Sequence, residues 1–285
     1  MGLVLPPRPH LIKPGAFRLN RNHPLAEGLG ITIPLFEGAG APKDYSPSGG
    51  EKALATAAGT PTWGNGPLGL GRRYAAAADT LAEVGPNIKI ASTPHTVVMW
   101  LSLDNVATAR SIYNLSALAD FSNPAELISV SNVTSGRLSF FTPGAYATSG
   151  VPLANGKVFC AARVWDATNN WQFYQDGVRV GTSADTNTAT ATGANLYLGT
   201  GFSGSMTGNY IQFLSWPRRA LTPSEIWLLA EQPFALWEPL PSRTIVSVPA
   251  AAPGGDDFLM QGLHPITAGL AGLSRGLSGI EHGIA

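Results

Sequence analysis

The chain has 285 residues, 44% of them hydrophobic and 13% charged, enough to bury a core in one large domain or two modest ones beneath a surface of low charge. Its 18 Lys and Arg balance 18 Asp and Glu, which excludes the cationic field that nucleic-acid binding draws on. A single cysteine, Cys160, excludes a disulfide within the chain, and no segment has the unbroken apolar length of a membrane span.

Residues 1–22 read as an extended N-terminal arm, broken by Pro6, Pro7 and Pro9. Those prolines interrupt the apolar stretch a secretory signal needs, so synthesis and folding in a cytoplasm are expected. The sequons at Asn114 and Asn132 are then expected to be idle, since glycosylation needs the secretory route.

From 23 to 248, glycine and proline punctuate short alternating runs, the pattern of an all-β sandwich or barrel. Strands are predicted over 96–103, 111–115, 126–130, 137–141, 158–165, 171–175, 178–180, 195–198 and 210–216. Asp176-Gly177 predicts a tight hairpin, because both central residues of a type I′ turn need positive φ. Cys160, inside VFCAARVW, reads as a small buried hydrophobe rather than a reactive thiol. Gly199, Gly201 and Gly204 spell GxGxxG after NLYLG, but the chain continues into another strand. Without a helix N-terminus to hold a pyrophosphate, the motif reads as a glycine-rich turn.

After Pro217 every signal for a short helix is present. Thr222 is the N-cap, Pro223 fits the first helical position, Glu225 completes a capping box, and Leu221 can staple to Ile226. The helix turns Ile226, Leu229 and Ala230 to one face and must stop by Gln232, because Pro233 lacks the amide to continue it.

A linker is expected over 249–261 and a repeating tail over 262–285, with glycine at 262, 269, 276 and 283. Leu263, Ile266, Leu270, Leu273, Leu277, Ile280 and Ile284 alternate spacings of three and four, a heptad seam. Each glycine costs roughly 1 kcal/mol against alanine in a helix, so order would have to come from a partner. Seven seam positions in register favour a partner-binding segment over a flexible end with chance periodicity.

Chemistry is sparse. The five histidines are placed in arms, loops or the tail without metal-ligand spacing, and neither Ser116 nor Ser203 has a nucleophile-elbow context. No predicted strand carries acids at two alternate positions, as a sandwich glycosidase would need. The seven tryptophans read mostly as core or interface, with a sugar-stacking platform as the alternative.

The succession HPLAEGLG, PLFEGAG, DYSPSGG, GPLGLGRRY, TVVMWLSL, WQFYQDGVRVG, NLYLG, GFSGS and SWPRRALTPSEI resembles the laminin-G-like, concanavalin A-like jelly-roll domains, particularly those of bacteriophage virion proteins. The likeness covers about residues 23–236 and is most specific at His23–Leu29, Gln175–Gly181 and Arg219–Ile226. It implies an all-β antiparallel sandwich closed by its final strand and a short C-terminal helix. Where relatives often carry acids at the start of the final strand, this chain has Gly204-Ser205-Met206-Thr207-Gly208-Asn209-Tyr210. That removes hard oxygen ligands a calcium ion would use, so no metal or cofactor is expected.

The resemblance, with the arm and the tail, implies a non-enzymatic virion structural protein. It would decorate a capsid or tail as a homo-oligomer or against other virion proteins, through its terminal segments. The alternative is a carbohydrate-binding adhesion module for host-surface glycans, displaying loops such as Gly199–Gly208.

Overall fold

Alternation of apolar and polar residues becomes two packed antiparallel sheets in the computed structural model, which describes residues 17–47, 52–53, 55–58, 60–75, 80–84, 94–116, 124–130, 136–142, 145–166, 168, 170–184, 195–199 and 205–239. The strands are β1 (Phe17–Leu19), β2 (Ile31–Ile33), β3 (Lys43–Asp44), β4 (Lys52–Ala53), β5 (Ala55–Ala58), β6 (Thr62–Gly66), β7 (Gly69–Tyr74), β8 (Thr80–Val84), β9 (His95–Leu103) and β10 (Arg110–Ser116). They continue with β11 (Pro124–Val130), β12 (Arg137–Thr142), β13 (Ala145–Pro152), β14 (Val158–Trp165), β15 (Asn170–Gln175), β16 (Val178–Ala184), β17 (Asn195–Leu198), β18 (Gly208–Trp216) and β19 (Trp237–Pro239). One helix, α1 (Pro223–Glu231), and a 3₁₀ turn, Pro24–Ala26, complete the described elements. No described helix is long and apolar enough to cross a membrane.

A seven-stranded sheet runs in the order β13-β12-β11-β10-β17-β8-β5, and an eight-stranded sheet in the order β16-β15-β14-β9-β18-β7-β6 with β2 added on β18. Between them lies the first core, where Val97, Met99 and Leu101 of β9, Phe173 and Phe213 meet Ile128, Phe140 and Leu198. The eight-stranded sheet is also covered on its other face. There Val98, Trp100, Val164, Leu214 and Trp216 pack under Ile226 and Leu229 of α1, Leu25 of the 3₁₀ turn, and Leu19 and Trp237 of the β1–β19 ribbon. Burial on both faces explains why TVVMWLSL is apolar almost throughout, since every residue of β9 is buried.

The helix forms as its capping signals dictate. The Thr222 hydroxyl accepts from the Glu225 backbone N–H, and Glu225 Oε2 accepts from the Thr222 N–H at 2.8 Å. Arg219 pairs with the same carboxylate and donates to the carbonyls of Pro24 and Glu27, tying α1 to the 3₁₀ turn. Two indole N–H groups of the second core are satisfied, Trp216 Nε1 by Leu25 O at 2.8 Å and Trp237 Nε1 by Gln212 Oε1 at 2.7 Å. At the predicted hairpin, Asp176 and Gly177 have φ of 51° and 79°.

The arm expected over 1–22 joins the body at its C-terminal end. Phe17, Arg18 and Leu19 pair with Pro239, Glu238 and Trp237, because Leu19 and Phe17 find apolar partners in the second core. Residues 1–16 lie outside the described residues, as do the linker over 249–261 and the tail over 262–285. The chain divides into one compact unit, Met1–Leu240, and a second, Pro241–Ala285.

Candidate functional site

The first core contains a polar cluster at one end of the sandwich. Glu126, His95 and Arg163 are fully buried, with His95 Nε2 3.0 Å from Glu126 Oε1 and Arg163 NH1 3.6 Å from Glu126 Oε2. The Tyr113 hydroxyl donates to Glu126 Oε2 at 3.1 Å, and the Arg163 guanidinium lies 3.8 Å from the Trp171 ring centre. Burial, and then the negative charge of Glu126, hold the Tyr113 phenol well above its ordinary range. This arrangement resembles a catalytic constellation in composition, but it is sealed between two sheets. It works as an internal ion pair that fixes how β9, β10, β11, β14 and β15 meet. His95 thus opens a central strand, a correction to its expected place in a loop: a charge-neutralised pocket accepts a polar ring where an apolar one is the rule.

The outer face of the seven-stranded sheet is different in kind. Register sets Tyr197 beside Asn114, Asn114 beside Leu127, Leu127 beside Phe141, and Phe141 beside Tyr146, one row crossing five strands. Side-chain alternation turns Tyr113 and Ile128 into the first core, so their neighbours Asn114 and Leu127 face outward. A second row two residues along is hydroxylated throughout: Ser111, Ser129, Ser139 and Thr148. Ser139 Oγ and Tyr146 Oη are 2.7 Å apart, and Arg137 NH1 donates to Gly150 O at 2.6 Å beside them.

Exposure varies along this face. Tyr146 is 49% exposed and Phe141 half-buried, whereas Leu127 and Tyr197 are buried yet belong to neither core. Asn114 is the sharpest feature. Its side chain is wholly buried, and among the described residues neither the amide nitrogen nor the oxygen has a hydrogen-bond partner. A buried amide left in this state costs free energy, on the order of 1–3 kcal/mol per group. The same burial closes Asn114 as a glycosylation acceptor.

The predicted partner-binding residues Leu263, Ile266, Leu270, Leu273, Leu277, Ile280 and Ile284 lie outside the described residues, and so do residues 200–204 of the loop Gly199–Gly208. Of the tryptophans, Trp100, Trp165, Trp171, Trp216 and Trp237 are buried, Trp63 is partly covered with Arg72 5.0 Å from its ring, and Trp227 is 54% exposed. Among the described residues no group of three or more His, Cys, Asp or Glu is arranged to hold a metal. Cys160 is buried, and desolvation pushes its thiol well above the ordinary range, so it is chemically quiet.

A model of the concanavalin A-like lectin/glucanases superfamily matches residues 76–227, just over half of the chain. That interval holds β8 to β18 and the N-terminal half of α1, hence every residue of both outer rows. No curated protein matches the chain in sequence. Among solved structures, Domain 4 of AbnA, a GH43 extracellular arabinanase from Geobacillus stearothermophilus, in complex with arabinotriose, superposes with a TM-score of 0.55 at 16% identity, covering 71% of this chain and 98% of that one. The binding domain of Paraclostridial Mosquitocidal Protein 1 gives 0.55 at 12% identity over 74% of this chain, and the receptor binding domain of botulinum neurotoxin D gives 0.56 at 10% over 74%. The match spans 53% and 54% of those two longer chains. At such identities the likeness establishes the sandwich and leaves the ligand to be argued from the residues.

Proposed function

The chain belongs to the concanavalin A-like lectin/glucanases superfamily, and on that premise we propose that its body is a carbohydrate-binding module that acts by binding rather than by turnover. The observation that carries this reading is the half-exposed Tyr146 ring beside half-buried Phe141 on the outer face of the seven-stranded sheet. Aromatic rings take the C–H face of a sugar, and the Tyr146 hydroxyl can exchange a hydrogen bond with one of its oxygens. That Domain 4 of the arabinanase is described with a bound oligosaccharide supports the same use of this fold. Binding without turnover is supported by what the carboxylates do. Asp44 holds a buried turn, Asp176 caps the Cys160 amide, Glu225 caps α1 and Glu126 is locked in the core.

A glycan array followed by titration of the full chain tests this. Binding of at least one oligosaccharide is expected, with Tyr146→Ala weakening it about tenfold, the worth of one stacked ring. An empty array, or affinity unchanged in Tyr146→Ala, sinks the reading, and sugar release on incubation would overturn its non-enzymatic part.

The wider setting we propose is a bacteriophage virion, with the chain made in the host cytoplasm and mounted on a capsid or tail as a decoration subunit. The pairing of Phe17 with Pro239 supports it. Phe17 and Pro239, at the two ends of the described body, meet in one ribbon that packs on the face of the eight-stranded sheet away from the outer rows. The heptad seam of the tail supports self-association or attachment to another virion protein. Light scattering of the full chain beside a chain ended at Leu240 should give an oligomer and a monomer; two monomers would end the self-association proposal. Absence of the chain from purified virions would end the virion one.

A further inference from the structure

The β1–β19 ribbon borders a cleft of about 580 Å³, a size suited to one or two sugar rings, lined by Phe17, Arg18, Arg21, Asn22, Tyr45 and Glu238. All six residues lie outside the interval 76–227, so nothing in the family match accounts for them. Its floor is aromatic and rigid. The Phe17 and Tyr45 rings are 5.6 Å apart, each set edgewise on buried Trp237 at 5.2 and 5.8 Å, and the Tyr45 hydroxyl is fixed by donating to Glu37 Oε1 at 2.9 Å.

The rim carries three charges, two of which cancel. Arg18 Nε donates to Glu238 Oε1 at 2.8 Å, so that pair is spent. The Arg21 guanidinium and the Asn22 side-chain amide have no partner among the described residues, and both are exposed at the mouth. One unspent cation therefore stands over an apolar floor, in a chain whose charged residues are only 13% of the total.

We infer that this cleft is a second ligand site and that it takes a carboxylate-bearing sugar ring, a uronate. The ring's C–H face lies on Tyr45 with Phe17, tilted 56° to it, walling its edge, and its carboxylate meets the planar fork of Arg21, which can donate two parallel hydrogen bonds to it. Asn22 serves a neighbouring hydroxyl. A neutral sugar would leave the Arg21 charge unused, and a bare inorganic anion would leave the floor unused.

The test is titration of the full chain with trigalacturonate, followed by Trp fluorescence and calorimetry, beside neutral galactotriose and beside sodium acetate. Trigalacturonate is expected to bind at least tenfold more tightly than either comparator. Arg21→Gln should weaken it tenfold or more with melting unchanged, since Arg21 supports no contact of the fold. Tyr146→Ala should leave it untouched, which separates this cleft from the sheet face proposed above. No binding of trigalacturonate at millimolar concentration, equal affinity for galactotriose or acetate, or affinity retained in Arg21→Gln would each overturn the inference.

Discussion

The ring of Tyr74 lies where a side chain at Gly199 would stand: a Cβ built on Gly199 comes within 2.6 Å of Tyr74 Cδ1, and the residue holds φ of +91°. The first glycine of the nucleotide-like GxGxxG is thus required by a turn and by a core ring. Gly199→Ala should cost about 3 kcal/mol, the left-handed backbone penalty plus overlap with an immobile ring. Gly69, at φ of +86° with open space around it, is the control. Gly69→Ala should cost about 1 kcal/mol, from the backbone alone. Urea unfolding of the two variants measures the difference, and equal losses would remove the role assigned to Tyr74.

The cap on α1 makes a second prediction. Thr222→Ala loses the acceptor for the Glu225 N–H and should cost about 1 kcal/mol, whereas Thr222→Ser should stay within a few tenths. Thermal melting of both variants decides it. Loss from serine as great as from alanine would mean that the methyl group, and not the hydroxyl, holds the helix end.

The internal ion pair gives a third. Glu126→Gln leaves the Arg163 guanidinium buried with no full counter-charge and should destabilise by about 3 kcal/mol. Replacing both, Glu126→Leu with Arg163→Met, should cost less than the sum of the single changes, because no isolated charge remains. Chemical denaturation of the single and double variants closes the cycle, and strict additivity would show that the two groups do not act on one another.

The fourth concerns alkaline pH. Tyr113, Tyr210 and Cys160 are held by burial well above the ordinary values of 10.0 for the phenols and 9.0 for the thiol. Unfolded, they ionise at those ordinary values; folded, they keep their protons to higher pH. The folded state therefore binds more protons, so stability is complete below about pH 9 and falls as pH rises beyond it. Each group contributes a slope of up to about 1.4 kcal/mol per pH unit. Unfolding free energies at a series of pH values from about 8 to about 11 should fall, and the fall should be shallower in Tyr210→Phe. A flat profile would contradict the assignment.

The central strands were legible because their apolar alternation is dense, and β14 spans 158–165 as read. β6 and β7, TWGNG and GLGRRY, were not, because glycine in a strand reads as a turn. The reason for it is tertiary: a Cβ on Gly71 would stand 2.9 Å from the carbonyl oxygen of Tyr210 on the neighbouring strand. β1 escaped notice for a related reason, since FRL has no periodicity of its own and becomes a strand only against Trp237–Pro239. The outer rows were illegible in principle. Asn114 looked like an idle sequon, and what sets it beside Tyr197 and Leu127 is register between strands far apart in sequence. The same holds for the cleft, which joins residue 17 to residue 238.

The pairing of Phe17 with Pro239 also sets the mechanics of the molecule. Tension applied through both terminal segments enters the fold at one antiparallel ribbon and parts it from its open end, one residue pair at a time. Among the described residues three pairs, ending at Leu19 with Trp237, and the hydrogen bond from Asn20 N–H to Leu236 O stand between that load and the sandwich. A pull on both ends should therefore open this ribbon before either sheet gives way.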